Sequence, residues 1–390
     1  MPLRVLLAFA LPLLAGCPVS SRTAAPPPPT AEAAPLERIT TLDLGELVVK
    51  DDASYPPTIR RLDYAEDGRH LLLLTSTTHR EQRKPLTIYH LLLLNTETAT
   101  LERKIPLSDI LTSDVGMFLV GFLDNEHYFA SKDDDLLIFR LGENEPKLRH
   151  VGRGGGDFAN RRHIADFGFM IDWRTGQTYR AIVGTLGVSD LTDDDWVISG
   201  ERNGYIARHN PVSGEYQEWR SGFSYPTPFA SASGRYVIAA GPDLDCRVWR
   251  VPEREQVGRC KHRWFGGGKR WSTYAAHPTR ERFAIAWRET VRVYDIEPFE
   301  LKAELQLDDT ARQVAFAGED KLVALTQRDV QVWSVREQRL IAADRGAAMH
   351  FGEAHDLPHT AELVNPNGRQ IAVARSHRDH NDITFYALPE

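Results

Sequence analysis

The fold is decided by residues 66–74, EDGRHLLLL, in which a polar turn runs directly into a short apolar strand. The same succession recurs at residues 232–240, ASGRYVIAA, and at residues 365–374, NPNGRQIAVA. Looser copies of the turn lie at residues 124–125, 193–195, 278–279 and 319–320. Recurrence of one unit along the whole chain indicates a repeat architecture, in which each unit needs its neighbours to bury its apolar face.

Each copy leads to a second strand, in which apolar and polar residues alternate and which ends in another polar turn. These second strands are residues 86–94, 136–141, 204–209, 247–251, 291–296, 330–335 and 383–387. An eighth candidate, residues 167–173, follows a weaker turn at residues 160–162. Alternation with a period of two is typical of β-strands, and no long stretch of the chain has the helical period.

The spacing of the second strands predicts the architecture. When residues 167–173 are counted, the strand centres recur about every forty residues, which is the length of one four-stranded propeller blade. We therefore predict an all-β protein, a β-propeller with eight four-stranded blades. Without that eighth strand the prediction is seven blades.

Both ends of the repeat favour a closed ring. The last unit ends with its third strand, at residues 383–387, and has no room for a fourth. Residues 39–49 lie before the first turn and also alternate apolar and polar side chains. We expect this N-terminal strand to complete the last blade, because closure removes an exposed sheet edge.

Residues 37–390 resemble WD40-like and quinoprotein-like β-propellers in period and strand pattern. Val293-Tyr294-Asp295 stands where a WD40 repeat carries its Trp-Asp pair. The resemblance implies a rigid scaffold that presents loops to partners. The outer-membrane assembly machinery of many bacteria includes an eight-bladed lipoprotein propeller, although one fold serves many functions.

The N-terminus resembles a bacterial lipoprotein signal. Arg4 precedes an apolar run at residues 5–14, and Leu14-Ala15-Gly16-Cys17 completes the motif. The resemblance implies a signal peptide at residues 1–16 and a lipidated Cys17. A Pro- and Ala-rich spacer would occupy residues 17–36, and the propeller domain residues 37–390. Because Pro18 stands where inner-membrane lipoproteins carry Asp, we expect a cell-envelope protein anchored in the outer membrane and facing the periplasm.

Two cysteines remain after Cys17, and both fall in one predicted blade. Cys246 begins the third strand of that blade and Cys260 ends the fourth, with a turn at residues 252–255. Arms of equal length place the two residues opposite one another, with Cβ atoms about 4.5–5.5 Å apart. Since exported proteins fold under oxidising conditions, we predict a disulfide; the alternative is two buried free thiols.

The composition and the motifs disfavour several classes of function. A hydrophobic share of 42% is enough for a sizeable core, and a net charge of -7 gives no reason to expect a nucleic-acid partner. The chain has no Gly-x-Ser-x-Gly motif, and residues 266–269, GGGK, lack the first Gly and the Ser or Thr of a P-loop. We therefore predict no cofactor, with a divalent metal as the one alternative.

Propeller geometry gathers several polar loops on one face, because the second-to-third loops and the blade-to-blade connections emerge together. Arg and Trp are frequent anchors of protein interfaces. The candidate partner-binding residues are His79, Arg80, Arg83, Lys84, Arg263, Trp264, Lys269, Arg270, Trp271 and Arg378. Neutral imidazoles suit Zn or Ni, and the candidate metal ligands are His355, His359, His377 and His380. The alternative for both sets is solvated loops or packing between blades.

Two functional hypotheses follow from these features. The first is a lipid-anchored, non-enzymatic scaffold for protein-protein interactions in the cell envelope, bound to the membrane through its lipid. The second is an envelope enzyme, or a sensor of a metal or small ligand, that uses the loops or the central channel. No convergent acid, base and nucleophile is visible in the sequence, so the first hypothesis is favoured.

Overall fold

Residues 33–390 of the computed structural model fold mostly into β-strands. The structure describes residues 33–48, 57–79, 86–107, 118–132, 135–143, 145–151, 158–166, 168–182, 188–224, 226–240, 245–260, 273–326, 328–345, 363–376 and 381–390. Three short elements come first: β1 (Ala34–Pro35), β2 (Arg38–Asp43) and α1 (Leu44–Val48). No helix in these ranges has the length and apolar character that crossing a membrane requires.

Within the described residues, seven groups of four consecutive strands follow, and we call them blades 1 to 7. Blade 1 contains β3 (Thr58–Tyr64), β4 (His70–His79), β5 (Leu86–Asn95) and β6 (Thr100–Pro106). Blade 2 contains β7 (Phe118–Phe122), β8 (His127–Lys132), β9 (Asp135–Arg140) and β10 (Leu148–Val151). Blade 3 contains β11 (Phe158–Ala159), β12 (His163–Asp166), β13 (Phe169–Asp172) and β14 (Thr178–Arg180). Blade 4 contains β15 (Val188–Leu191), β16 (Val197–Gly200), β17 (Tyr205–Asn210) and β18 (Glu215–Arg220).

The second half of the chain continues the same order. Blade 5 contains β19 (Thr227–Ala230), β20 (Tyr236–Ala240), β21 (Cys246–Arg250) and β22 (Glu255–Cys260). Blade 6 contains β23 (Thr273–Ala276), β24 (Arg282–Trp287), β25 (Thr290–Ile296) and β26 (Phe299–Gln306). Blade 7 contains β27 (Ala311–Ala317), β28 (Lys321–Thr326), β29 (Val330–Ser334) and β30 (Arg339–Asp344). Blade 8 contains β31 (Gln370–Ser376) and β32 (Asn381–Ala387), with a single bridge from Val364 to Ile371 on its inner side.

The prediction of an all-β propeller with eight blades is confirmed, and the seven-bladed alternative is wrong. Blade 3 decides between them, because β11 to β14 form a sheet of their own. The predicted strand at residues 167–173 contains β13, the third strand of this blade. Blade 3 was harder to recognise because its strands are short and its turn lacks the Gly found in the clearest copies.

The chemistry of the turns explains why the clearest copies share Gly-Arg. Gly68, Gly234 and Gly368 adopt φ values of 71°, 70° and 69°, which are comfortable for Gly and strained for other residues. In the first copy, the backbone N–H of Arg69 donates to Asp67 Oδ1 at 2.9 Å. Ser233 and Asn367 accept the corresponding bonds in the other two copies. The turn is therefore set by a local side-chain bond and one left-handed residue.

The leucine run of the first copy is buried on both of its faces. Leu71 and Leu73 pack toward blade 8, whereas Leu72 and Leu74 pack toward blade 2. Side chains in a strand alternate between faces, so a strand covered on both sides must be apolar throughout. Eight such apolar clusters among the described residues join each blade to the next, including blade 8 to blade 1.

An N-terminal strand closes the ring, as predicted. β2 pairs antiparallel with β32, which places Thr41 opposite Thr384 and makes β2 the outermost strand of blade 8. The predicted strand, residues 39–49, was too long at its C-terminal end. Asp43 accepts a hydrogen bond from Gly45 N at 2.7 Å and starts α1, which buries Leu44 and Val48 one turn apart.

A second pairing extends the closure to blade 7. β1 lies parallel to β30 and forms a fifth strand on that sheet, and Leu36 N donates to Ala343 O at 2.9 Å. The side chain of Leu36 is buried between blades 7 and 8. Residues 34–36, which the sequence assigned to the spacer, therefore pair with the propeller. We call residues 34–43 the clasp, because they bind the edges of two blades.

Candidate interaction surfaces

The order of strands assigns every connection to one of two faces. The first strands of successive blades lie beside one another around the axis, as β15 and β19 do. Because neighbouring strands within a blade are antiparallel, the second-to-third loops and the blade-to-blade connections emerge on one face, the loop face. The first-to-second and third-to-fourth turns emerge on the opposite face, the turn face.

The predicted partner-binding and metal-binding residues belong to connections on the loop face. The backbone of His79 ends β4. The remaining predicted residues lie outside the described residues: Arg80, Arg83, Lys84, Arg263, Trp264, Lys269, Arg270, Trp271, Arg378, His355, His359, His377 and His380. Cys17 also lies outside the described residues. Partner binding, metal binding and lipidation at these positions therefore stay predictions.

A disulfide lies at the loop-face end of blade 5. Cys246 and Cys260 are opposite each other on β21 and β22, and their Cα atoms are 4.8 Å apart. Both residues are fully buried in the cluster between blades 5 and 6. The bond fixes two strand ends at the point where the chain continues into the predicted partner-binding loop.

On the turn face, polar groups of one blade bond to the next. Asn365 of blade 8 donates from Nδ2 to the carbonyl of Gly68 in blade 1, at 2.7 Å. The backbone N–H of Asp67 donates in turn to Asn125 Oδ1 of blade 2, at 2.8 Å. Ser233 N donates to Glu281 at 3.2 Å, which connects blades 5 and 6. These groups hold the blades in place.

Three histidines occupy one position of the repeat, the first residue of the second strand in blades 1, 2 and 3. His70 lies 3.4 Å from Glu102, His127 lies 3.0 Å from Asp124 and His163 lies 2.5 Å from Asp195, measured between ring nitrogen and carboxylate oxygen. The sequence analysis missed them, although aligning the three turns would have shown a His directly after each. The ring of His163 is wholly buried, so this pair connects blades 3 and 4.

Two carboxylates tie the innermost strands together. Asp63 accepts a hydrogen bond from Phe122 N in blade 2, and Asp190 accepts one from Ala230 N in blade 5, each at 2.7 Å. Burial raises the pKa of the Asp190 carboxyl, an effect that its bonds from Ala230 and Leu191 only partly offset. Burial and the charge of Asp190 also raise the pKa of Tyr274. The side chains of Asp190 and Tyr274 therefore both hold their protons more tightly than usual.

The acidic turn of blade 4 is bonded within its own blade and to blade 3. Thr192 Oγ1 donates to Asp194 at 2.5 Å, and Asn160 Nδ2 donates to Asp195 at 3.0 Å. Asp195 also contacts His163. Across the described ranges, no group of three or more His, Cys, Asp or Glu side chains is arranged to hold a metal ion.

Comparison with known proteins adds no family to this description. A scan against models of protein families finds no match, and a search of curated proteins finds none either. The structure itself defines the class, a β-propeller whose described residues form eight blades. The similarity to WD40-like and quinoprotein-like propellers stays a resemblance in period and strand pattern.

Proposed function

We propose that this chain is a lipid-anchored propeller of the cell envelope that binds protein partners through its loop face and catalyses no reaction. One observation carries the proposal: the two faces of the closed ring differ. The turn face joins neighbouring blades through their own polar groups. Between the described strands, the four longest connections, residues 44–57, 107–117, 261–272 and 345–363, all belong to the loop face.

Loops of different lengths on a rigid support favour recognition, because the support fixes their positions while their sequences vary freely. The blades supply that rigidity, since an apolar cluster joins each described blade to the next. The clasp adds a defined point of attachment, because the chain enters the propeller at the edge of blade 7. A lipid at Cys17 would then hold the propeller near a membrane.

Site-specific photocrosslinking in intact cells tests the proposed face. The loop-face probe replaces Asn203, an exposed residue between β16 and β17, and the matched probe replaces Ser213, exposed at the opposite end of the same blade. We expect mass spectrometry to identify the same envelope proteins repeatedly from position 203 and not from position 213. Equal capture at both positions, or capture at 213 alone, would overturn the choice of face.

The anchor is tested separately by Cys17→Ser. A protein held by acylated cysteine should sediment with membranes, and the variant should move to the soluble fraction, because the lipid that holds it is lost. Labelling with a radioactive or clickable fatty acid should be lost in parallel. Sedimentation of the variant with membranes would contradict lipid anchoring. It would not bear on the proposal that the loop face binds partners.

A further inference from the structure

Two arginines lie at the loop-face end of blade 5, beside the connection from blade 4, and we call Arg247 and Arg259 the arginine patch. Arg247 and Arg259 are directly opposite each other on β21 and β22, one position from the disulfide. Gly222, in the connection from blade 4, lies against the Arg247 guanidinium. The patch therefore lies where blade 5 meets the connection from blade 4.

The position of Arg247 is defined closely by its neighbours. A Cβ at Gly222 would lie 2.0 to 2.4 Å from guanidinium atoms of Arg247, so a side chain at position 222 would displace that flexible group. The guanidinium carbon is 5.2 Å from the centre of the Phe223 ring, and its Nε is buried without a hydrogen-bond partner.

Within the part of the chain that the structure describes, the charges of the patch are only partly compensated. Like charges directly opposite one another destabilise an antiparallel pair, and Arg247 and Arg259 form such a pair. The nearest compensating group is Asp245, whose Oδ2 lies 3.6 Å from Arg259 Nη2. Burial raises the pKa of Asp245 despite the two arginines, and its Oδ1 is buried without a partner. One weakly bonded carboxylate therefore faces two guanidinium groups, and a disulfide holds their strands together.

We infer that the arginine patch binds an acidic peptide segment of a protein partner. A guanidinium whose face contacts an aromatic ring keeps its in-plane N–H groups for a carboxylate, which it binds through two parallel hydrogen bonds. The chain as a whole is acidic, at -7, which disfavours a long polyanion such as a nucleic acid.

The inference rests on the proposed function, because it names the chemistry of a partner for the same loop face. It also gives the buried disulfide a role in recognition. Cys246 and Cys260 precede Arg247 and follow Arg259 along their strands, so the bond preserves the spacing of the two guanidinium groups.

Binding of a fluorescein-labelled hexaglutamate peptide to the purified full-length chain, measured by anisotropy, tests the inference. The test variant is Arg247→Gln with Arg259→Gln, and the matched control is Arg254→Gln with Arg336→Gln, two exposed arginines on the turn face. We expect the test variant to bind at least about tenfold more weakly and the control to stay within about twofold of wild type. Raising the salt from about 50 to about 300 mM should weaken wild-type binding. Arg247→Lys keeps the charge but loses the paired N–H groups, so it should also weaken binding.

Three outcomes would overturn the inference. Wild type would not bind hexaglutamate, or the two double variants would lose the same amount of affinity although their melting temperatures are unchanged. In the third outcome, wild type would bind a hexathymidylate of similar charge more tightly than hexaglutamate. The photocrosslinking at position 203 separates this failure from failure of the proposed function. If position 203 still captures partners while hexaglutamate does not bind, the scaffold stands and the acidic partner is wrong.

Discussion

Arg38 and Asp344 form two hydrogen bonds, at 2.9 and 3.0 Å, across a separation of 306 positions in the sequence. The same carboxylate accepts bonds from Arg375 at 2.7 Å and from the Tyr386 hydroxyl at 2.6 Å. Asp344 ends β30 in blade 7, whereas Arg38 belongs to the clasp and the other two partners to blade 8. A single carboxylate thus joins the N-terminal segment to both blades that it closes.

We expect Asp344→Ala to lower the free energy of unfolding by about 3 kcal/mol, because it leaves the buried Arg375 guanidinium without its carboxylate. Arg38→Ala is the matched comparison. The Arg38 side chain is 51% exposed, so its loss should cost less than about 1 kcal/mol. Urea denaturation of both variants provides the measurement, and equal effects would show that Asp344 does not act through Arg375.

The clasp itself should be needed for stability. A chain that begins at Leu44 lacks β1 and β2 and exposes the edges of β30 and β32, so we expect its melting temperature to fall by about 10 °C or more. A chain that begins at Ala33 keeps the whole clasp and serves as the control. If the two truncated chains melt at the same temperature, closure by the clasp contributes nothing to thermal stability.

Loss of the disulfide should destabilise the protein. The bond closes a loop with a sequence separation of 14, for which loop-closure entropy gives about 3 kcal/mol. We expect Cys246→Ala with Cys260→Ala to lose about 2 to 3 kcal/mol in urea. Reductant should bring the wild type down to the level of the variant and leave the variant unchanged. A variant as stable as the oxidised protein would refute this prediction.

Asp172 should make stability depend on pH at the acid end. Burial alone would raise the pKa of this carboxyl, but bonds from the backbone of Thr175 and Arg174 and from the side chain of Arg162 bring it below the ordinary value. A lowered pKa gives stability that is present above the unfolded value, about 3.9, and is lost as the pH falls through the folded value.

Asp172→Ala should therefore cost about 2 kcal/mol at neutral pH, and the gap to wild type should narrow only below about pH 4. Urea midpoints of wild type and Asp172→Ala, measured between neutral pH and about pH 3, would record this narrowing. Glu253→Ala, at an exposed position in a turn, should leave the curve unchanged. A gap that is constant with pH would show that the charge of Asp172 is not what stabilises the turn.

The predicted metal site remains to be tested. If His355, His359, His377 and His380 bind Zn²⁺, calorimetry should show one ion per chain, and His377→Ala with His380→Ala should abolish binding. His70→Ala with His127→Ala removes two histidines from the described blades and is the matched control. Absence of binding to wild type, or an equal loss in the control, would remove the sensor hypothesis based on these residues.

The blades could be predicted from the sequence because their chemistry is local. In the three clearest copies, the turn places a left-handed Gly and a small polar acceptor within four residues, and strands buried on both faces are apolar throughout. The end of β2 could not be predicted in this way, because Asp43 and Gly45 start a helix inside an alternating segment. Parallel pairing of Leu36 with Ala343 depends on residues far apart in the sequence.

The candidate surface was predictable only in part. Connectivity alone placed the polar loops on one face, but the structure describes none of the side chains predicted to bind there. The arginine patch escaped notice because Arg247 and Arg259 lie on separate strands with no common motif. Their relation emerges only once Gly222 lies against the guanidinium and the two strands are in register.

Pairing of the earliest strands with the latest ones imposes an order on biosynthesis. Residues 38–43 leave the ribosome long before their partner strand at residues 381–387 is made. The outer position of blade 8 can therefore be filled only when the last residues arrive. A nascent polypeptide of this design stays short of its final stability until it is complete.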